Sequence, residues 1–339
     1  MVITPAPRPD PRARLLSIQY LRGLAALMVV LFHACVSQRA MFNPLEGFVA
    51  FSRGVDIFFV ISGFIMYSAA RDEPPLIFVR RRIVRVVPLY WLATMAAILK
   101  TWHFRGTTPP PADVVRSLLF IPFDNPTHGG KPWPVLVQGW TLNYEMIFYL
   151  LFALALVTRR PATITTLAIV ALVGIGSIGG RGGPGFETWT DMIMLEFVAG
   201  IWLGKAFARF DFGRLEILLP LGIAALLAGD LVALPRYIEA GIPAVAIVAG
   251  ALAFENRLVR PWRWAKLIGD ASYAIYLSHV LVLFIPGKLF QRMPSGWFQF
   301  LGYVAGALLF ATFVGLLLHL WIERPLLAWL GRDRRKRVA

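Results

Sequence analysis

The sequence predicts an all-α, polytopic integral membrane protein: about ten transmembrane helices in one bundle, with N- and C-termini cytoplasmic. Three observations predict it. Of 339 residues, 58% are hydrophobic and only 16% charged, and mean hydropathy is +0.65; ordinary globular chains carry roughly 45–50% apolar and about 25% charged residues. A soluble fold this apolar has too little polar surface to cover itself, and a chain with this much to bury is not disordered. The apolar residues also fall in runs near the ~20 that a helix needs to cross a bilayer. Finally, the charges behind the net +15 sit in short clusters between those runs. That is the pattern of loops flanking spans, and it argues against nucleic acid as a partner.

Taken in order, the runs place spans at 15–37, 47–70, 83–101, 138–158, 162–180, 188–208, 215–234, 237–255, 264–286 and 298–322. The second and ninth are interrupted by Asp56, Asp270 and His279. The first is not a cleaved signal: no small-residue cleavage site follows it, and it carries Arg22 and His33. With the N-terminus inside, 23 Lys and Arg fall on the cytoplasmic side and 10 outside, Arg22 lying within the first span. This bias sets the orientation and an even number of spans. The domain reading is a cytoplasmic tail 1–14, a single transmembrane domain 15–325 and a basic cytoplasmic tail 326–339. The longest loop, 102–137, faces outside, and its many prolines and aromatics suit a rim over an outward-facing mouth. The lone Cys35 excludes a disulfide framework and a cysteine zinc site, and no metal is expected.

A charged side chain at mid-membrane costs about 2.5–3.5 kcal/mol on insertion scales, so each one needs a partner, water or a function. Arg22 and His33 are 11 residues apart. At about 100° per residue they share a helix face, about 16 Å apart along the axis. Arg22 lies near the cytoplasmic end, where it either snorkels to headgroups or meets a ligand. His33 lies in the outer half, as a packing residue or a base. Asp56 enters the second span from outside, to a similar depth. It either pairs with Arg53 or orients the His33 imidazole. Gly63, seven residues on, permits a close helix contact. Arg82 and Arg85, at i and i+3, can point at one ligand, and arginine forks suit phosphate; the alternative is plain topological anchoring. Glu145, in the outer half of the fourth span, has no cation within four residues. Its expected partner is His33 or a hydroxylic substrate. Ser272, Tyr276 and His279 share a face of the ninth span, His319 reads as interfacial, and Asp191 and Glu196 have no assigned role. The layout is a bundle with arginines at the cytoplasmic mouth and a cluster of His33, Asp56 and Glu145 in the outer half.

At these residues the chain resembles the membrane acyltransferase-3 family, bacterial O-acyltransferases of surface and exported carbohydrates. The resemblance runs from about Ser17 to Pro325. It is carried by the Arg22-to-His33 spacing, Gly54 to Phe64 (GVDIFFVISGF), Arg82-Ile-Val-Arg85 with Pro88 and Tyr90-Trp91, Trp140-Thr-Leu142 with Glu145 and Phe148-Tyr149, Ser272-Tyr273 through Tyr276-Leu-Ser-His279, and Glu323-Arg-Pro325. It is most similar to the exopolysaccharide O-acetyltransferase branch. The resemblance implies an acyl-CoA donor, acetyl-CoA foremost, on the cytoplasmic side. It implies a carbohydrate or lipid-linked sugar acceptor at or beyond a bacterial inner (plasma) membrane, with membrane lipid as the surrounding partner. His33 matches the family's catalytic histidine, with Glu145 and Asp56 beside it. Arg22, Arg82 and Arg85 match its arginines, which would meet the CoA phosphates. Tyr276, His279 and Trp140 would contact substrate. The reading from another class is a transporter or flippase for a lipid-linked sugar or acyl donor, using the same residues as a proton relay.

Overall fold

The computed structural model describes residues 15–37, 41–180, 182–232, 234–258 and 260–332. The tail 1–14, residues 333–339 of the C-terminal tail, and Arg39 and Arg181 of the charge count lie outside the described residues. Among the described residues the fold is helical throughout, with a single isolated bridge between Asn125 and Lys131.

Helix α1 (Leu16–Ser37) begins on a long-range cap. The Glu255 carboxylate accepts from the Leu16 and Ser17 backbone N–H groups, each at 2.8 Å, and from the Ser17 hydroxyl. An anion there satisfies donors that a helix start leaves orphaned. Helix α2 (Gly54–Ile65) is entered by a 3₁₀ turn, Ala50–Arg53, and continued by a π turn, Met66–Ala70. Helix α3 (Pro75–Arg105) is 31 residues long, well beyond the predicted 83–101. Pro75 suits a first helical turn, Gly106 closes the far end in a left-handed cap at φ 67°, and so the arginines of 80–85 lie within the helix instead of ahead of it.

The predicted loop 102–137 is partly ordered by helix α4 (Pro111–Leu118). Tyr90 donates to the Ser117 carbonyl at 3.1 Å and Trp91 to that of Leu118 at 2.9 Å, tying the segment to α3. Ser117 Oγ accepts from the Val135 N–H at 2.9 Å, which turns the chain back towards α5 (Trp140–Ala155). Then follow α6 (Pro161–Ile178), α7 (Pro184–Trp189), α8 (Met194–Phe207), α9 (Leu218–Ala228) and α10 (Ile242–Ala253), the last preceded by a π turn, Tyr237–Gly241. The predicted ninth span is divided into α11 (Arg263–Asp270), α12 (Ser272–Val282) and α13 (Phe284–Phe290). The last span, α14 (Trp297–Leu318), runs through a π turn, His319–Glu323, into α15 (Arg324–Arg332). Residues 326–332 are thus helix where a tail was expected.

Six helical segments of the described chain are long and apolar enough to cross a membrane: Leu16–Val36, Ala50–Ala70, Pro75–Arg105, Pro161–Ile178, Tyr237–Arg257 and Trp297–Leu330. Helices α12 and α13, bent by 49°, make a seventh if they count as one span. The segments 138–158, 188–208 and 215–234 hold helices of only 16, 14 and 11 residues. Their apolar runs are divided by turns, at Thr190–Ile193 before α8 and at 3₁₀ turns on both ends of α9. Hydropathy over a window does not register such breaks. A multi-pass helical membrane protein is what remains, and large apolar side chains on the outside of the bundle agree with it: Leu92, Leu99, Leu167, Leu309 and Phe313 are all exposed.

Helix α2 is the axis of the bundle. Ten of its twelve residues are buried, as expected for a helix apolar on every side. Its tightest neighbour is α8, where Gly63 lies against the Phe197 carbonyl and Gly200 against that of Val60. A side chain at either position would strike backbone that cannot retreat. Gly200→Leu is therefore expected to destabilise the bundle by at least the 1–3 kcal/mol typical of overpacking. A lowered thermal-denaturation midpoint in detergent, relative to a Gly185→Leu control where the nearest atoms belong to Trp189 and lie 3.4 Å or more away, checks it.

Candidate active site

Polar side chains are concentrated in three cavities that meet end to end between α1, α2, α3, α5 and α12. The central one is lined by Arg22, Arg82, Arg85, Ser62, Glu145 and Tyr276, among others. At one end it shares Arg22, Arg82 and Arg85 with a cavity that also holds Gln19, His319, Glu323 and Arg324. At the other it shares Val55 and Tyr276 with a cavity lined by His33, Trp140, Tyr144, Arg236, Lys131 and Trp133. Arg22 and His33, on one α1 face, therefore look into successive parts of one polar column.

The arginine end is rich in unpaired charge. Among the described residues Arg22, Arg82 and Arg85 form no ion pair and no hydrogen bond, and the Arg82 Nε is buried without a partner. The Arg82 guanidinium lies over the faces of Phe78, 5.7 Å from its centroid, and Tyr149, at 5.9 Å, which holds it in place without neutralising it. Nearby carboxylates are engaged elsewhere. Glu323 meets His319 at 2.7 Å, and Asp270 meets Lys266 at 2.9 Å. His319 is thus a buried, paired residue and not an interfacial one. Three free guanidinium forks around one space suit an anionic group with several oxygens, such as phosphate.

At the other end, His33 Nδ1 lies 2.9 Å from the Val29 carbonyl and 3.2 Å from His279 Nε2. His279 is fully buried, with its Nδ1 3.2 Å from the Ile275 carbonyl. Tyr276, one turn earlier on α12, meets Thr141 Oγ1 at 3.0 Å and donates to the Gln138 carbonyl at 3.2 Å. Trp140 lines the same cavity. Residues 131–137 of the long loop supply Lys131, Pro132, Trp133 and Val137 to its wall.

The two carboxylates expected beside His33 are not there. Asp56 is fully buried and held bidentately by Arg236, at 3.1 Å to Nε and 2.8 Å to Nη2. Arg53, its other expected partner, instead meets Asp230 at 2.8 Å, Glu239 at 3.3 Å and the Leu226 carbonyl at 2.5 Å. The reason is direction: Asp56 points at the α2–α8 face, away from α1. Glu145 lines the central cavity, not the His33 cavity, and accepts from Ser62 Oγ at 3.1 Å and from the Tyr149 hydroxyl. Ser62 and Tyr149, which hold it, line the same central cavity as the arginines. Equal depth did not mean equal neighbours in either case.

Sequence reading missed Arg236, which it counted only as an external loop charge, and it named His33 and His279 without pairing them. Arg236 is 180 residues from Asp56, and no local pattern links the two. Glu196 is buried beside the Asp56 carboxyl and near Arg236, and Asp191 caps the Ile193 N–H at 2.9 Å and accepts from Tyr144 at 3.4 Å.

A multi-pass helical bundle with a polar column, cationic at one end and bearing an imidazole at the other, has the parts of a group-transfer enzyme working inside a membrane. The chain belongs to the acyltransferase-3 family: the family's acyltransferase-domain model matches residues 15–319. It is 37% identical to the exopolysaccharide production protein ExoZ of Rhizobium meliloti (strain 1021) over 305 residues, covering 83% of this chain and 91% of that protein. It is 28% identical to the acyltransferase MdmB of Streptomyces mycarofaciens over 382 aligned positions, covering 96% and 95%. No solved structure matches the chain. Acyl transfer is accordingly the reaction class.

Removing Arg236 would leave the Asp56 carboxylate buried without its cation. Losing one partner of a buried pair costs about 3–5 kcal/mol, and since the Arg236 side chain is 44% exposed the lower end applies. Arg236→Met is expected to lower thermal stability in detergent by about 3 kcal/mol, and adding Asp56→Asn to restore most of it. Thermal denaturation of the single and double variants checks both.

Proposed function

We propose that this protein moves an acyl group, acetyl foremost, from cytoplasmic acyl-CoA to a hydroxyl of an exported or lipid-linked carbohydrate, with His33 as general base. The observation that carries this reading is the polar column, with three unpaired arginines around one stretch and His33 at another. The donor's phosphates would rest against Arg22, Arg82 and Arg85, and its arm would extend through the central cavity past Tyr276 towards His33. Family membership supports acyl transfer over the transporter reading. The similarity to a protein named for exopolysaccharide production supports a carbohydrate acceptor. Trp133, Trp140 and Tyr144 on the His33 cavity offer aromatic faces of the kind that suit sugar rings. The excess of Lys and Arg on one side of the spans supports a cytoplasmic N-terminus in the bacterial inner membrane. That orientation puts the arginines towards the cytoplasm and the His33 cavity towards the acceptor.

In this reaction the acceptor hydroxyl gives its proton to His33 as its oxygen bonds to the thioester carbonyl carbon. The carbon–sulfur bond then breaks, and the departing thiolate takes the proton back from the imidazolium. No metal enters the scheme.

The test uses purified protein in detergent, acetyl-CoA and polysaccharide of the producing cells stripped of esters by mild alkali. Acceptor-dependent release of free CoA supports the proposal, and acceptor movement across vesicles without acylation supports transport instead. His33→Ala is expected to lower transfer on the order of 10²–10⁴-fold while the protein stays folded and membrane-inserted; near-normal turnover would remove His33 from the chemistry. Arg82→Ala and Arg85→Ala are expected to weaken acetyl-CoA binding, each by about 10- to 150-fold for a lost charge-assisted hydrogen bond of about 1.5–3 kcal/mol, and to leave acceptor affinity alone. Unchanged donor affinity in both would return them to topological anchoring.

A further inference from the structure

From the geometry we infer that His279 is a positioning residue: a neutral imidazole that shares, as second acceptor, the Nδ1–H which the Val29 carbonyl holds on His33, and takes the place a carboxylate holds in a triad. The inference rests on the proposed role of His33 as the base.

Hydrogen-bond chemistry around the two rings leaves one consistent set of protons. A backbone carbonyl only accepts, so the nitrogen facing it carries hydrogen. His279 Nδ1 faces the Ile275 carbonyl at 3.2 Å, so its hydrogen sits on Nδ1. In neutral imidazole the other nitrogen, Nε2, is then a bare acceptor. His33 Nδ1 faces the Val29 carbonyl at 2.9 Å and so also carries hydrogen. That N–H lies 3.2 Å from His279 Nε2, and it is shared between the carbonyl and the second ring. His33 Nε2 is left with its lone pair and, among the described residues, with no protein partner, on a side chain that lines the cavity. The base atom is therefore Nε2.

Both rings repeat one local device, an Nδ1–H donated to the carbonyl four residues earlier on the same helix. Each helix thus sets the orientation of its own ring, and the contact between α1 and α12 joins them. The ring centroids are 4.9 Å apart at 58°, so the contact is a tilted hydrogen bond and not a stack. His279 is fully buried and does not line the His33 cavity, which separates it from the acceptor. This replaces the expectation that it binds substrate.

When Nε2 takes the acceptor's proton, the positive charge on His33 spreads to Nδ1–H, which then points at a lone pair on His279 and at an amide oxygen. A neutral acceptor stabilises imidazolium less than a carboxylate does, but it needs no buried anion between turnovers. The two carboxylates expected beside His33 are already committed, Asp56 to Arg236 and Glu145 to Ser62 and Tyr149. Lys100 holds the end of the helix that carries His279: its ammonium donates to the Val280 and Leu281 carbonyls at 3.0 and 3.1 Å, beside the 49° bend into α13. Residues far from the acceptor therefore determine where His279 Nε2 stands.

The test has a spectroscopic part and a kinetic part. In nitrogen-15 histidine-labelled protein in detergent, with signals assigned by single substitution among the five histidines, neutral His33 is expected to show hydrogen on Nδ1. His33 with hydrogen on Nε2 in the unmodified protein overturns the inference, whatever the variants do. His279→Leu removes the acceptor, and His279→Gln keeps an oxygen near the position of Nε2. With acetyl-CoA and ester-stripped polysaccharide, His279→Leu is expected to lower kcat on the order of 10²-fold, with KM for both substrates within about threefold, and to leave the His33 hydrogen on Nδ1, where the Val29 carbonyl holds it. His279→Gln is expected to recover at least tenfold of that loss. A kcat for His279→Leu within twofold of the unmodified protein overturns the inference, and so does a folded His279→Gln no better than His279→Leu. If the unmodified protein transfers no acetyl group, the functional reading fails, while a nitrogen–nitrogen coupling between His33 Nδ1 and His279 Nε2 in the labelled protein still decides the pairing.

Discussion

An uncompensated charge inside a membrane-spanning bundle has to be paired, reach water or wait for a ligand, and the interior of this protein is arranged around that constraint. Asp56 takes the first solution, in a bidentate pair with Arg236. Arg53 does the same with Asp230 and Glu239. Arg22, Arg82 and Arg85 are partly exposed and line a shared space without an ion pair, and on the proposed function that is what separates a binding site from a structural one among residues of the same type. An arginine neutralised by its own protein gains little from an incoming phosphate. Three without an ion pair gain more, since a phosphate also screens their mutual repulsion.

The helices supply the rest by fixing depth and direction. Helix α2 is buried on nearly every side, and its glycine contact with α8 brings the two backbones together. Its Ser62 faces the central cavity and its Asp56 the α8 side. Helix α1 presents Arg22 and His33 to the column three turns apart, about 16 Å along the axis. On the proposed reaction this spacing separates the charged end of the donor from its thioester, so one rigid helix measures the distance between anion site and base.

Much of this was legible in the sequence. Composition and run length give the membrane class, and the shared face of Arg22 and His33 follows from helical periodicity alone. The i, i+3 spacing that put Arg82 and Arg85 together follows in the same way. What was not legible has a common physical origin: it depends on contacts between helices distant in the chain. Depth along a span can be counted from its end, but rotation about the bundle axis cannot. Asp56, Glu145 and His33 were placed at similar depths, and depth was read as proximity. The structure turns Asp56 to α8 and Glu145 to the arginines, and it brings His279 to His33 from α12. Breaks within apolar runs were hidden for a related reason, since a turn such as Thr190–Ile193 costs little hydropathy yet ends a helix.

The pairing of His33 with a second histidine, and not with a carboxylate, is consistent with the same constraint. A buried carboxylate beside the base would be an anion lacking its counter-charge whenever the imidazole is neutral, which in a resting base is the standing condition. In a water-filled cleft that cost is small; in a bundle surrounded by lipid it is several kcal/mol per ion. A second imidazole, oriented by its own helix's carbonyl, offers a lone pair to the His33 Nδ1–H at no such cost. The anions of the column stand instead where cations or hydroxyl donors already meet them, as Glu145 does beside Ser62, Tyr149 and the arginines. His33, on the proposed reaction the base, is thereby left oriented and open to the cavity from which an acceptor hydroxyl would approach.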